Sequence, residues 1–193
     1  MEEYKFTHED WVTSHTAKWL EFAQGTPRLW EMLELGTFEG RAAVWLGKNI
    51  LPENGWLYAV DTWEGSAEHS HFNMEKIEEN FDNNLWEFNA HNPHKIIFKK
   101  KMTTHEALST MSFMRFGWIY VDASHKARDV LSDAVMAWHL LVKGGVMVFD
   151  DYAWEIAQGE LNRPKIALDA FLSIFGDELD ILDKHYQLIV RKK

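Results

Sequence analysis

Between residues 30 and 149 the chain alternates short apolar runs with segments of helical periodicity. That alternation restricts the fold more than any other feature of the sequence. Strands are expected over 30–35, 56–60, 95–99, 116–121 and 146–149, and helices over 41–51, 73–85, 104–111 and 126–142. The last of these is the most amphipathic, with Leu131, Ala134, Val135, Trp138, Leu141 and Val142 on one face, and Lys143-Gly144-Gly145 reads as its stop. Repeated strand–helix units imply a mostly parallel sheet with helices on both faces. The tail differs. A helix over 167–175 precedes two runs, 179–182 and 187–190, joined by only Asp183-Lys184-His185-Tyr186. A link that short makes an antiparallel pair, so the sheet should hold seven strands with one reversed. No repeat or low-complexity linker divides the chain, which reads as one domain over 1–193 with an N-terminal helical segment over 1–29. Thr7 or Asp10 is the candidate cap of that segment.

Three strand ends carry candidate chemistry. The first strand runs into Glu34-Leu35-Gly36-Thr37-Phe38-Glu39-Gly40. Glycines there allow a tight turn and close approach of a ligand, and Glu34 offers a carboxylate to an ammonium group. The dinucleotide fingerprint needs glycine at the first, third and sixth positions of this turn. Phe38 and Arg41 stand at the last two, which counts against a nicotinamide-dependent oxidoreductase. The same residues are compatible with an ordinary strand–helix turn. Asp61 ends the second strand, at the spacing where an acid holds both hydroxyls of a ribose or simply starts a turn.

The third group is acidic: Asp122-Ala123-Ser124-His125 after the fourth strand and Asp150-Asp151-Tyr152 after the fifth. If those strands are neighbours, Asp122, Asp150 and Asp151 converge and need a positive charge between them. A hard divalent cation supplies it, Mg²⁺ most simply, and such an ion lowers the pKa of a bound hydroxyl. His125 stands where it can take that proton. The alternative is a pair of turn-capping acids and a histidine that merely starts a helix. His69 and His71 read as loop residues exposed to solvent, with a substrate contact the lesser reading. Among Trp11, Trp19, Trp63 and Trp154, the pocket candidates are Trp63 and Trp154, which follow strands directly.

In these stretches the sequence resembles the class I S-adenosylmethionine-dependent methyltransferases, and within them the branch that methylates hydroxyls with a metal ion. The matching segments are LELGTFEGRAAVWL, LYAVDTWEG, GWIYVDASHKARDVLSDAVMAWHLLVKGGVMVFDDY and the C-terminal hairpin, in family order. The resemblance implies a Rossmann-like, three-layer α/β/α sandwich of strand order 3-2-1-4-5-7-6 with strand 7 antiparallel. It implies that Glu34, Gly36 and Gly40 surround the methionine part of S-adenosyl-L-methionine. Asp61 would take the ribose and Met102 and Thr103 the adenine, with Thr37 and Thr62 also in the cofactor site. Asp122 would adjoin the cofactor and share the metal with Asp150 and Asp151, and Asp122 and His125 would serve catalysis. The chain departs from the commonest pattern at Phe38, where a glycine is usual.

Charge and composition narrow the partner. A formal net charge of −10 argues against nucleic acid, which is held by basic surfaces. The one basic run, Lys99-Lys100-Lys101, reads as a strand end open to solvent. With no cysteine, thiolate zinc sites and disulfides are excluded. No apolar run approaches the roughly 18 residues of a membrane span, and the charged start lacks a signal core, so a cytoplasmic location is expected. The expected acceptor is a small molecule. Ten tryptophans leave room for a homodimer contact. Two alternatives stand beside the metal-assisted O-methyltransferase. One is a metal-independent enzyme acting on nitrogen or a macromolecule, and the other is a module that binds cofactor without turnover.

Overall fold

Strand β1 (Glu31–Leu35) and strand β4 (Phe116–Val121) are buried at every position, as expected of central parallel strands covered on both faces. Around them the sheet runs β3-β2-β1-β4-β5-β7-β6, completed by β2 (Trp56–Asp61), β3 (Ile96–Lys101), β5 (Leu141–Phe149), β6 (Leu179–Lys184) and β7 (Leu188–Lys192). All pairs are parallel except those of β7, which is antiparallel to both β5 and β6. This is the expected order with the expected reversed strand. The computed structural model describes residues 3–66, 69–111, 113–155 and 159–193.

Among the described residues six α-helices cover the sheet: α1 (Thr16–Ala23), α2 (Arg41–Asn49), α3 (Met74–His91), α4 (Thr104–Thr110), α5 (Ala127–Leu140) and α6 (Pro164–Phe175). They seal two cores, one on each face. Trp19, Trp118, Phe81 and Phe88 anchor one, and Trp138, Phe116, Phe149 and Phe171 the other. Most of the aromatic surplus is therefore packing. Among the described residues no helix is long and apolar enough to cross a membrane.

Several boundaries differ from the sequence expectation. Helix α5 stops at Leu140, because Leu141 is already extended (φ −73°, ψ 130°) and pairs with Phe116 of β4. Lys143-Gly144-Gly145 thus lies inside β5 and does not end the helix; its glycines sit at an irregularity of the strand. Helix α3 reaches His91, well past residue 85, because Asn80 and Asn84 face inward beside Ile77, Phe81 and Phe88. Polar residues that bury through hydrogen bonds are invisible to an apolar count. The lysine run belongs to β3, and it is tied rather than simply open to solvent. Lys99 pairs with Glu78 and Asp82 and lies over the Trp63 ring, and Lys101 pairs with Glu78. At the N-terminus neither candidate is the cap: Val12 and His15 stand at the N-cap positions of the 3-10 turn (Thr13–His15) and of α1 without side-chain cap bonds. Asp10 closes the preceding turn by accepting from the Val12 and Thr13 N–H groups. Thr7 instead donates its hydroxyl to Glu39.

Candidate active site

The sheet ladder continues one residue past its strands, and this sets out the site. The Gly36 N–H donates to the Val60 carbonyl (2.8 Å), Asp122 N–H to Leu35 (2.7 Å), Asp150 N–H to Val121 (2.9 Å) and Met102 N–H to Asp61 (3.0 Å). Four loops therefore leave the sheet in register, at its carboxyl edge, where open α/β sheets bind ligands. Above them lies a cleft of about 1830 Å³. Glu34, Gly36, Thr37, Asp61, Thr62, Met102, Thr103, Asp122, His125, Asp150 and Asp151 all line it.

At one end of the cleft the backbone needs glycine. Gly36 has φ +83°, and a Cβ there would lie 1.8 Å from the Asp122 carbonyl oxygen. Gly40 also has positive φ, but it faces the Phe81 ring and does not line the cleft, so its role is to let α2 pack on α3. Beside Gly36, Glu34 is 1% exposed. Burial, reinforced by the Asp61 charge, pushes its carboxyl well above the usual carboxylate range. The Thr37 hydroxyl and the Ala43 N–H oppose that rise, yet Glu34 Oε2 and Thr37 Oγ1 fall short of well-formed hydrogen bonds, and a donor from a ligand would satisfy the buried carboxylate.

Asp61 is engaged. Its Oδ2 accepts from the Thr37 (2.8 Å) and Phe38 (3.0 Å) N–H groups, and its Oδ1 from the Trp63 N–H (2.8 Å). A carboxylate has about four acceptor positions, so room for roughly one further donor remains. Asp61 thus holds the Thr37–Phe38 turn as well as facing the cleft. Thr103 caps α4 reciprocally with Glu106, which fixes the Met102–Thr103 corner.

At the other end the acids converge as expected, with one change of partner. The donor atoms of Asp122, His125 and Asp151 lie within 4.8 Å of one another. His125 Nε2 and Asp151 Oδ2 are 2.8 Å apart, and the Tyr186 hydroxyl donates to Asp151 Oδ1 at 2.5 Å. Asp150 is held differently. It accepts from the Tyr120 hydroxyl, from Gln187 Nε2 (3.1 Å) and from the Asp151 N–H (2.9 Å). Gln187 in turn accepts from the buried Trp19 indole N–H (2.9 Å). The compact donor group is therefore Asp122, Asp151 and His125, whereas Asp150 is held by Gln187 and shares the Tyr120 hydroxyl with Asp122 (3.0 Å). Burial and the charges of Asp150 and Asp151 push the Asp122 carboxyl well up, and burial with the Asp151 charge raises that of Asp150. Such a group favours a cation. Asp151 also has φ +57°, a strained conformation that turns its side chain toward His125.

The tryptophan expectation holds for one of its two candidates. Trp154 lines the cleft with its ring 4.3 Å from that of His125. Trp63 does not line it. It is 4% exposed, donates to the Phe38 carbonyl and packs on Phe81, so it supports the glycine turn from below. Trp11 lines the cleft instead, half-exposed against Phe38. His69 and His71 also line it, packed on Phe72, rather than simply facing solvent. Sequence reasoning missed His8, His15, Tyr120, Tyr186 and Gln187. The one signal for Tyr186 and Gln187 was the short hairpin link, which must return beside β5.

A methyltransferase-domain profile matches residues 33–152, well over half of the chain. No curated protein matches the sequence. Among solved structures, the chain resembles an O-methyltransferase from Bacillus cereus in complex with SAH. That pair is 18% identical, covers 97% of this chain and 84% of the other, and has a TM-score of 0.60. It also resembles TomG, an O-methyltransferase from Streptomyces achromogenes involved in tomaymycin synthesis, in complex with SAM (19% identity, 94% and 81% covered, TM-score 0.64). The mycinamycin-pathway methyltransferase MycE, in complex with Mg and SAH, is 16% identical with a TM-score of 0.59 over 98% of this chain and 51% of that longer one.

Proposed function

The chain belongs to the methyltransferase-domain family, and we propose that it transfers the methyl group of S-adenosylmethionine to a hydroxyl of a small molecule with the help of a divalent cation. One observation carries the reading: Asp122, His125 and Asp151 converge in the cleft that the buried Glu34 also lines. The solved methyltransferases of similar fold, two with SAH and one with SAM, support the cofactor, and the magnesium in MycE supports the ion.

When bound, the cofactor supplies an electrophilic methyl on a sulfonium, and a hard dication supplies the positive field that lowers a hydroxyl's pKa. The residues do the rest. Glu34 accepts from the amino group of the methionine part, which returns its carboxyl to the charged form. The bare Cα of Gly36 lets that part lie against the turn. Asp61 meets a ribose hydroxyl with its remaining acceptor position and keeps the turn in place with the others. Met102 and Thr103 border the adenine. Asp122 and Asp151 hold the cation, with Asp150 behind them, anchored by Tyr120 and Gln187. Asp151 orients the His125 ring, and His125 takes the proton of the acceptor hydroxyl as general base. Rate then comes from holding nucleophile and methyl carbon in line.

Calorimetric titration of S-adenosylhomocysteine, with Mg²⁺ and then with chelator, tests the reading. Micromolar binding in both is expected, together with separate Mg²⁺ binding that Asp122→Asn abolishes. Failure to bind S-adenosylhomocysteine in either condition would overturn it. His125→Ala should cut turnover about 10²-fold while cofactor affinity stays unchanged; full activity in that variant places the base elsewhere.

A further inference from the structure

We infer that the methyl acceptor is a ring-bearing molecule, neutral or cationic and free of phosphate and carboxylate groups. It sits against an aromatic wall that the N-terminal segment brings to the acid end of the cleft. The inference rests on the methyltransferase reading above and adds the chemical class of the acceptor.

Size comes first. Pockets for one small ligand usually span about 300–1,000 Å³. This cleft, at about 1830 Å³, takes a cofactor and a second molecule of comparable size. Charge comes second. Ten carboxylate side chains line the cleft against two full cations, Arg41 and Lys126. Arg41 is already engaged: it donates to the His8 carbonyl (3.0 Å), lies 3.5 Å from Asp10 and stacks over Phe6. Lys126 is exposed at the rim. A dication and a sulfonium together offset only part of the acidic excess. An anionic acceptor would therefore meet a net acidic lining, with Lys126 the one full side-chain cation among the described residues of the lining not already engaged, whereas a neutral or cationic one is not repelled.

Shape comes third. The rings along the cleft fall in two groups. Phe72 and Trp11 pack on Phe38, at 5.8 and 5.7 Å between centroids. Further along the N-terminal segment, His15 stacks on Tyr186 at 5.3 Å with planes 7° apart. The Tyr186 hydroxyl donates to Asp151, and Trp154 covers His125 on the other side. Rings thus flank the very groups that would activate the hydroxyl. Aromatic faces hold other rings and cations, and offer anions nothing. The N-terminal segment that supplies Trp11 and His15 is fastened beside the glycine turn. Glu39 accepts from the Thr7 N–H and hydroxyl and from Asn80 Nδ2, and Asn84 bonds the Lys5 backbone on both sides.

The test uses the full chain with Mg²⁺ and saturating S-adenosylhomocysteine. Three probes of one shape are titrated by calorimetry: 4-methylcatechol, dopamine and 3,4-dihydroxybenzoate. The neutral and cationic probes should bind at least about ten-fold more tightly than the anion. Trp11→Ala, at a half-exposed position, should weaken the first two about five-fold and leave S-adenosylhomocysteine unaffected. Trp154→Ala should do the same from the opposite side. Equal or tighter binding of the carboxylate, or no binding by any probe, overturns the inference. Unchanged probe affinity in both tryptophan variants overturns the aromatic wall. Loss of S-adenosylhomocysteine binding by the unmodified protein instead rejects the methyltransferase reading on which it rests.

Discussion

The two ends of the cleft use the same residue type in opposite ways. At the glycine end Asp61 accepts from three backbone N–H groups, which fixes the turn and leaves about one acceptor position toward the cleft. At the acid end Asp122, Asp150 and Asp151 crowd together, and two of the three are pushed toward protonation by burial and by each other. A carboxylate paired with fixed amides shapes a loop. A carboxylate facing its own kind prepares a site for a cation. The difference lies in the backbone. The turn after β1 points its amides at Asp61, whereas the loops after β4 and β5 leave the sheet side by side with acids as their first residues.

The comparison breaks most visibly at Gly36. Gly36→Ala would place a Cβ against the Asp122 carbonyl at a positive φ, so a loss of about 3–5 kcal/mol is expected in denaturant unfolding, with both ends disturbed. A variant of wild-type stability would show that the two loops do not lean on each other.

A control acid on α5 comes next. Burial pushes the Asp133 carboxyl up to about 6, with the Thr104 hydroxyl opposing and Asp129 adding to the rise. Its proton is held more tightly in the folded state, so its unfavourable contribution is absent below about pH 4. It grows as pH rises through 6, reaching about 3 kcal/mol at pH 7. Asp133→Asn should therefore gain stability over wild type between pH 4.5 and 7.5. A gap independent of pH would mean that this acid titrates normally.

The metal assignment sharpens the acid end itself. Asp151→Asn should weaken Mg²⁺ by more than about 100-fold and Asp150→Asn by only about ten-fold, since Asp150 is anchored to Tyr120 and Gln187. The reverse order would restore Asp150 as the principal ligand. The smallest effect belongs to the fastening of the N-terminal segment. Thr7→Val removes one hydroxyl bond to Glu39 and should cost about 1 kcal/mol. Thermal melts that show no loss would leave the segment held by its other bonds.

Much of this was legible in the chain itself. The alternation of apolar runs and amphipathic segments determined the layers, and the four-residue link near the C-terminus determined the reversed strand, because period and loop length are local properties. Glu34, Gly36, Asp61, Asp122 and His125 were readable for the same reason: each sits at or just past a strand end, and strand ends share one edge. Tertiary structure decided the rest. It showed that Asp151 and not Asp150 faces His125, because a positive φ and a short hairpin set those side chains. It buried Trp63 and brought forward Trp11, His15 and Tyr186, residues far apart in sequence that meet only once the N-terminal segment is tied to Glu39 and Asn84. Periodicity records which face of an element is apolar; it holds no record of which distant side chain closes over a site, since that choice is made by packing between elements.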